Sequence, residues 1–180
     1  MADEAPLYAR LLGPDWLLLP AITRALHQPE PAALFEGRAD IRRGTNPLAR
    51  LIAALLGLPE AGPDIEAMVK VSRTEDGGEL LERWYGHRHF ATWQGERDGR
   101  LIERFGPFEL RFRLSGHETG IDFNQMGVSL WGLDLPRVLA PQVRASERAD
   151  GDVHCFDVAM SLPGVGLIVA YQGRLERASD

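Results

Sequence analysis

His87 and His89 flank Arg88 near a predicted hairpin. At i and i+2 on a strand two imidazoles point to one face, where they could share a metal ion. A metal centre needs a third ligand, and His117, His154 or Asp157 would have to bring it from distant segments. Nothing in their spacing does so, and the pair reads as solvated turn histidines with neither metal nor cofactor. Glu103, Asp122, Glu147 and Asp157 are carboxylates on predicted strands. Two of them facing a closed interior could do acid–base work, their pKa values raised by burial. No spacing favours a particular pair, and in a chain rich in arginine such groups commonly form ion pairs or sit in water. No catalytic residue is assigned. An enzyme without a metal, using sheet-borne Asp, Glu or His, stays as an alternative.

Cys155 follows His154 directly, but neighbours on a strand face opposite sides and cannot form a nucleophile–base pair. The thiol reads as a small core residue. No Gly-x-Ser-x-Gly elbow is present. Gly44-Thr45-Asn46 opens a predicted helix near Arg38, Arg42, Arg43 and Arg50, a setting that can hold an anion. No Gly-Lys-Ser/Thr follows, and an Asn N-cap before Pro47 accounts for the turn without a ligand. His27 ends another predicted helix, where the dipole favours a cation, and reads as a structural cap.

Bulk properties narrow the classes further. The chain has 180 residues, 44% hydrophobic and 26% charged, ordinary values for one globular domain. A net charge of −6 argues against a nucleic-acid partner, because phosphate contacts need a basic face. Lys70 is the only lysine, and the arginine bias reads as composition rather than phosphate recognition. One cysteine permits no internal disulfide and no thiolate zinc cluster, which fits a cytoplasmic setting. Met-Ala-Asp-Glu-Ala-Pro lacks the features of a leader, and the apolar runs fall short of the ~20 residues of a membrane span.

The elements that must position these groups are mostly strands. Phe108, Leu110, Phe112 and Leu114 alternate with Glu109, Arg111, Arg113 and Ser115, the period of two of a sheet with one buried face. Further alternating segments run over Leu34–Arg43, from Ile65, over Leu80–Tyr85, His89–Gln94, Leu101–Phe105, Ile121–Trp131, Val143–Arg148, Val153–Leu162 and Gly166–Glu176. Asp76-Gly77-Gly78 and Arg97-Asp98-Gly99 are hairpin signals. In Ile121–Trp131, Asp122 and Asn124 share a phase with Met126, Val128 and Leu130, which implies a wet rim or a bulge at Gly127. Leu133–Pro141 is a connector with one helical turn. Before the sheet, residues 6–28 read as broken helix interrupted at Gly13-Pro14, and Pro47 opens a helix with Leu48, Leu51, Ile52 and Leu55 as its apolar face.

Weak punctuation recurs in a distinctive order: Leu19-Pro20 with Leu26-His27; Phe35, Gly37 to Ile41, Arg43 and Gly44; Leu58-Pro59; Glu103 to Pro107; Leu133, Leu135 and Pro136 with Ala140-Pro141; Leu162-Pro163 and Gly166 with Tyr171 and Gly173. Together these resemble a bacterial family known as domain of unknown function 4166. The resemblance spans nearly the whole chain and implies one domain, residues 1–180; the patterns above divide it into 1–60, mostly helical with one strand, and 61–180, an antiparallel sheet. Some members of that family stand behind a saccharopine-dehydrogenase-like oxidoreductase, which implies an oxidoreductase partner. The family carries no assigned catalytic residues to transfer.

The expected fold is α+β: a predominantly antiparallel, strongly curved sheet, barrel or half-barrel, packed against N-terminal helices. Aromatic side chains concentrate in its sheet half, and a curved sheet so lined either fills its own interior or leaves a pocket. The expected function is binding of an apolar or lipid-like small molecule by Phe108, Leu110, Phe112, Phe123, Trp131 and Tyr171, roofed by helix 47–56 or by residues 16–26. A protein-interaction module is the rival, and it predicts an exposed apolar patch or free sheet edge and no cavity.

Overall fold

The computed structural model describes residues 5–178. Residues 1–4, within the stretch read as lacking a leader, and residues 179–180 lie outside the described residues. The broken helix predicted before the sheet resolves into α1 (Leu7–Leu12), a 3-10 helix (Gly13–Leu18) and α2 (Ala21–Leu26). Pro14 in the first 3-10 turn explains the break, since proline cannot donate the bond that would extend α1.

The strands follow as β1 (Ala32–Arg43), β2 (Gly62–Arg73), β3 (Glu79–Tyr85), β4 (Arg88–Arg97), β5 (Arg100–Phe105), β6 (Phe108–His117), β7 (Gly120–Leu130), β8 (Leu133–Asp134), β9 (Gln142–Asp150), β10 (Val153–Leu162) and β11 (Gly166–Arg177), with α3 (Pro47–Leu55) between β1 and β2. β1 to β7 pair in sequence order, β7 pairs β9, and β10 and β11 lead back to β1. Every pairing is antiparallel, and ten strands close into a barrel; the two-residue β8 joins β7 alone. Closure pairs the edges that an open sheet would expose. The tight β2–β3 turn depends on Gly77, whose φ of 78° is left-handed, while Thr74 N–H donates to Gly78 O at 3.0 Å.

Alternation decides which side chains face inward. On β1, Ala33, Phe35, Ala39 and Ile41 are buried while Leu34, Glu36, Asp40 and Arg42 are exposed. On β6, Leu110 and Phe112 are buried against Val128 on β7 and Leu101 on β5. β7 changes phase midway. Arg111 pairs Gly127 but Phe112 pairs Gln125, so Met126 is the extra residue of a bulge beside Gly127. Asp122 and Asn124 therefore point out before the bulge, and Val128 points in after it.

The helices occupy the two ends of the barrel. α2 ends just before β1 starts, and α3 begins just after β1 finishes, about 40 Å along a twelve-residue strand. Asn46 caps α3 as expected, its Oδ1 accepting from Leu48 N at 2.9 Å. The expected apolar face of α3 is corrected: Ala49 and Ala53 are buried and Ile52 half-buried, whereas Leu48, Leu51 and Leu55 are exposed. Small residues let the helix lie close to the strands at Gly44, where a Cβ would stand 3.2 Å from that of Ala49. A second departure is Trp131. It lies past the end of β7 in a turn with φ 49° and is 80% exposed, outside the barrel wall. No helix among the described residues is long and apolar enough to cross a membrane.

Candidate functional site

The barrel does not fill itself. A cavity of about 130 Å³ runs inside it, walled by Val69, Leu81, Phe90, Phe105, Phe156 and Val158 among others. At the α1–α2 end its lining is fully buried: Tyr8, His27, Gln94, Phe112, His154 and Leu175. Toward the α3 end Phe90, Phe105, Val143, Met160 and Tyr171 are only half-buried. The helices thus stopper one mouth, and the interior opens toward the other.

Polar groups are spaced along this apolar shaft. Under the stopper, His27 Nε2 lies 2.8 Å from Glu147 Oε2, and His154 Nε2 lies 3.8 Å from the same oxygen. Tyr8 stacks on His27 with ring centroids 3.6 Å apart and donates from its hydroxyl to Gln94 Oε1 at 3.1 Å. Burial works to lower the His27 pKa, but the Glu147 carboxylate, its hydrogen bond and Glu79 outweigh it and hold the ring above the ordinary histidine value. Burial pushes Glu147 up, and His27, with smaller contributions from His154 and Arg83, pulls it below the ordinary carboxylate value. Burial, together with the neighbouring His27 charge, keeps His154 below the ordinary value despite Glu147. The arrangement is a buried carboxylate bonded to one imidazole, with a second imidazole at its side. It ties α2 to β9.

Farther along the shaft, Arg83 Nη2 donates to Glu103 Oε1 at 3.0 Å and Arg83 Nη1 to Thr92 Oγ1 at 2.9 Å. Register explains the meeting, since Glu103 and Arg83 both face inward on strands flanking β4. Tyr85 and Tyr171 stand beside this pair with ring centroids 5.4 Å apart. Burial raises the pKa of both phenols, which stay protonated.

Of the residues singled out from sequence, Leu110, Phe112, Phe123 and Tyr171 line the cavity. Phe108 faces inward by register with Phe105 but packs into the neighbouring apolar cluster, and Trp131 is out in solvent. The residues 16–26 contribute Leu26, while α3 contributes no lining residue. Glu103 and Glu147 face the interior; Asp122 turns out to Arg148 and His117, and Asp157 is exposed. His27 is no surface cap but a buried partner of Glu147. His87 lies 3.7 Å from Glu60, and His89 stacks on Trp84 at 4.5 Å. Among the described residues no group of three His, Cys, Asp or Glu side chains could hold a metal ion. Cys155 points away from His154, which is buried, as alternation requires.

Tyr8, Gln94 and Arg83 were missed. The inward phase of Arg83, in step with Leu81 and Tyr85, is readable, but nothing local shows that α1 sends Tyr8 into the barrel to meet Gln94, 86 positions away.

A family model described as a domain of unknown function, DUF4166, matches residues 19–175. No curated protein matches the chain. Among solved structures, a protein of unknown function from the DUF3598 family of Nostoc punctiforme superposes with a TM-score of 0.53 at 12% identity, covering 88% of this chain and 52% of that one. The chain thus spans about half the length of that structure, and the likeness is one of fold. Rv2717c from M. tuberculosis has a TM-score of 0.46 at 14% identity, covering 89% of this chain and 99% of that one.

Proposed function

The chain belongs to the DUF4166 family, and from its barrel interior we propose that it binds a compact, largely apolar small molecule. The observation that carries this reading is the cavity itself. Close packing normally leaves few voids larger than a water molecule, yet this interior keeps about 130 Å³ free behind an apolar wall. An engineered apolar cavity of ~150 Å³ takes up benzene, and the free space here suits a ligand about one ring in size. A long acyl chain would have to extend out through the α3 mouth.

Two features weigh against the alternatives. A module that works through a free sheet edge has only the two-residue β8 to offer among the described strands, although the exposed Leu48, Leu51 and Leu55 on α3 are the kind of patch such a module presents. Acid–base chemistry would draw on Glu103 and Glu147, and these are already engaged by Arg83 and His27. An oxidoreductase partner rests on family resemblance alone.

Native mass spectrometry of freshly purified protein, with organic extraction, tests the proposal. The expected result is a reproducible small adduct lost on denaturation, or uptake of benzene or cyclohexanone added to the apo protein. A clean apo mass together with no uptake of either probe would overturn it.

A further inference from the structure

The polar groups that face the cavity say more about the ligand than its volume does. Tyr85 is 3% exposed and Tyr171 lies beside it, and both line the cavity. Neither hydroxyl has a hydrogen-bond partner among the described residues, and neither is sealed off by surrounding protein atoms. Two phenols held inside an apolar wall with their polar atoms left open are costly unless something occupies them.

Their surroundings choose the partner. The Arg83 guanidinium is close enough for its charge to act on both phenols, and on Tyr171 it acts more strongly than Glu103 does. A neighbouring cation favours the hydroxyl rotamer whose lone pairs face it and whose hydrogen points away, so the hydroxyls present donors to the cavity. Glu103 balances the Arg83 charge, and Glu103 and Thr92 each take one of its N–H donors. An anionic ligand would add a buried charge beside Glu103, and a cationic one would face Arg83. What remains is a neutral acceptor.

We propose that the cavity takes a neutral, ring-sized molecule bearing a carbonyl oxygen, received by the Tyr85 and Tyr171 hydroxyls beside the Arg83–Glu103 pair. This rests on the reading of the cavity as a ligand site.

Cyclohexanone and methylenecyclohexane match in shape and differ in the acceptor. Titration of each into the wild type and into the Tyr85→Phe, Tyr171→Phe and double variants reads the hydroxyls directly. Cyclohexanone is expected to lose about fivefold to tenfold in affinity with each substitution, as for a lost neutral hydrogen bond. Methylenecyclohexane should bind all four proteins alike, which also shows that the variants are folded. The carbonyl stretch of bound cyclohexanone should lie below its value in hydrocarbon and return toward it in the double variant. If both probes bind but the substitutions leave cyclohexanone affinity and stretch unchanged, the hydroxyls do not receive the ligand and this inference is overturned, while the ligand site stands. Tighter binding of cyclohexanecarboxylate than of cyclohexanone overturns the neutral class. Binding of neither ring probe overturns this inference, and with a clean apo mass it overturns the ligand site as well.

Discussion

His27 Nε2 and Glu147 Oε2 meet at 2.8 Å across 120 residues of sequence, inside the mouth that α1 and α2 close. The contact joins the last turn before β1 to the end of β9, and Tyr8 stacked on the imidazole extends it to α1. A helical stopper six residues long per helix has little intrinsic stability. The buried pair, with the apolar contacts of Leu7, Leu12 and Leu26, is what keeps it seated.

Breaking that pair from either side leaves a buried group without its partner. Glu147→Gln and His27→Ala should each cost about 3 kcal/mol in urea unfolding, the scale of a severed buried ion pair. The double variant should cost clearly less than the sum. Additive losses would show that the two residues act separately.

The pair also sets a pH window. Glu147 has a depressed folded pKa, so its contribution is present above about pH 4.3 and is lost as pH falls through the folded value. His27 has a raised folded pKa, so its contribution is full below about pH 6.5 and is lost as pH rises through the folded value. His154, with a lowered pKa, works oppositely to His27 on whole-protein stability, which is why a difference is the proper readout. Wild-type Tm minus that of His27→Gln should be largest between about pH 4.3 and 6.5 and should shrink on either side.

Glu79 is 1% exposed, and burial raises its pKa against the pull of His27, the Leu7 backbone N–H, Arg73 and Arg10. A carboxyl with a raised folded pKa costs nothing below its unfolded value, about pH 4.3, and penalises folding progressively above it. Glu79→Gln should therefore match the wild type at pH 3 and exceed it at pH 8, by on the order of 1 kcal/mol. A variant less stable at pH 8 would mean that the carboxylate is held by its neighbours after all.

Filling the cavity and overfilling the core should separate cleanly. Ala145 lines the cavity, so Ala145→Leu should change stability by less than about 1.5 kcal/mol while abolishing uptake of cyclohexanone. Ala49 is fully buried on the inner face of α3, where Ala49→Leu should cost about 1–3 kcal/mol. Equal losses at both sites would mean that the barrel interior is as tightly packed as the α3 contact.

The outward leucines of α3 should be dispensable to folding. Leu51→Gln and Leu55→Gln should each stay within about 0.5 kcal/mol of the wild type, because Leu55 is 77% exposed and Leu51 more than half so. A loss of 2 kcal/mol would return that face to the core.

Strands were the most legible part of the chain. The period of two in Phe108–Ser115, the turn glycines at 77 and 99 and the phase conflict near Gly127 are all local signals, and each corresponds to an observed strand, turn or bulge. α3 misled because hydrophobic periodicity names an apolar stripe without saying whether a partner covers it; close approach selected Ala49 and Ala53 over the bulkier leucines. Trp131 misled because a strand pattern does not announce its last residue, and one position past Leu130 the backbone turns left-handed.

By itself the amino-acid sequence determined the β-rich class, the punctuation of the strands and the inward phase of Leu110, Phe112 and Tyr171, because alternation and turn chemistry act between near neighbours. Only the tertiary structure decided that the sheet closes, that Tyr8 and His27 plug one end, and that Arg83 meets Glu103 beside two open phenols. Those relationships join segments 20 to 120 residues apart. Their energy comes from burial and pairing that exist only once the barrel has closed.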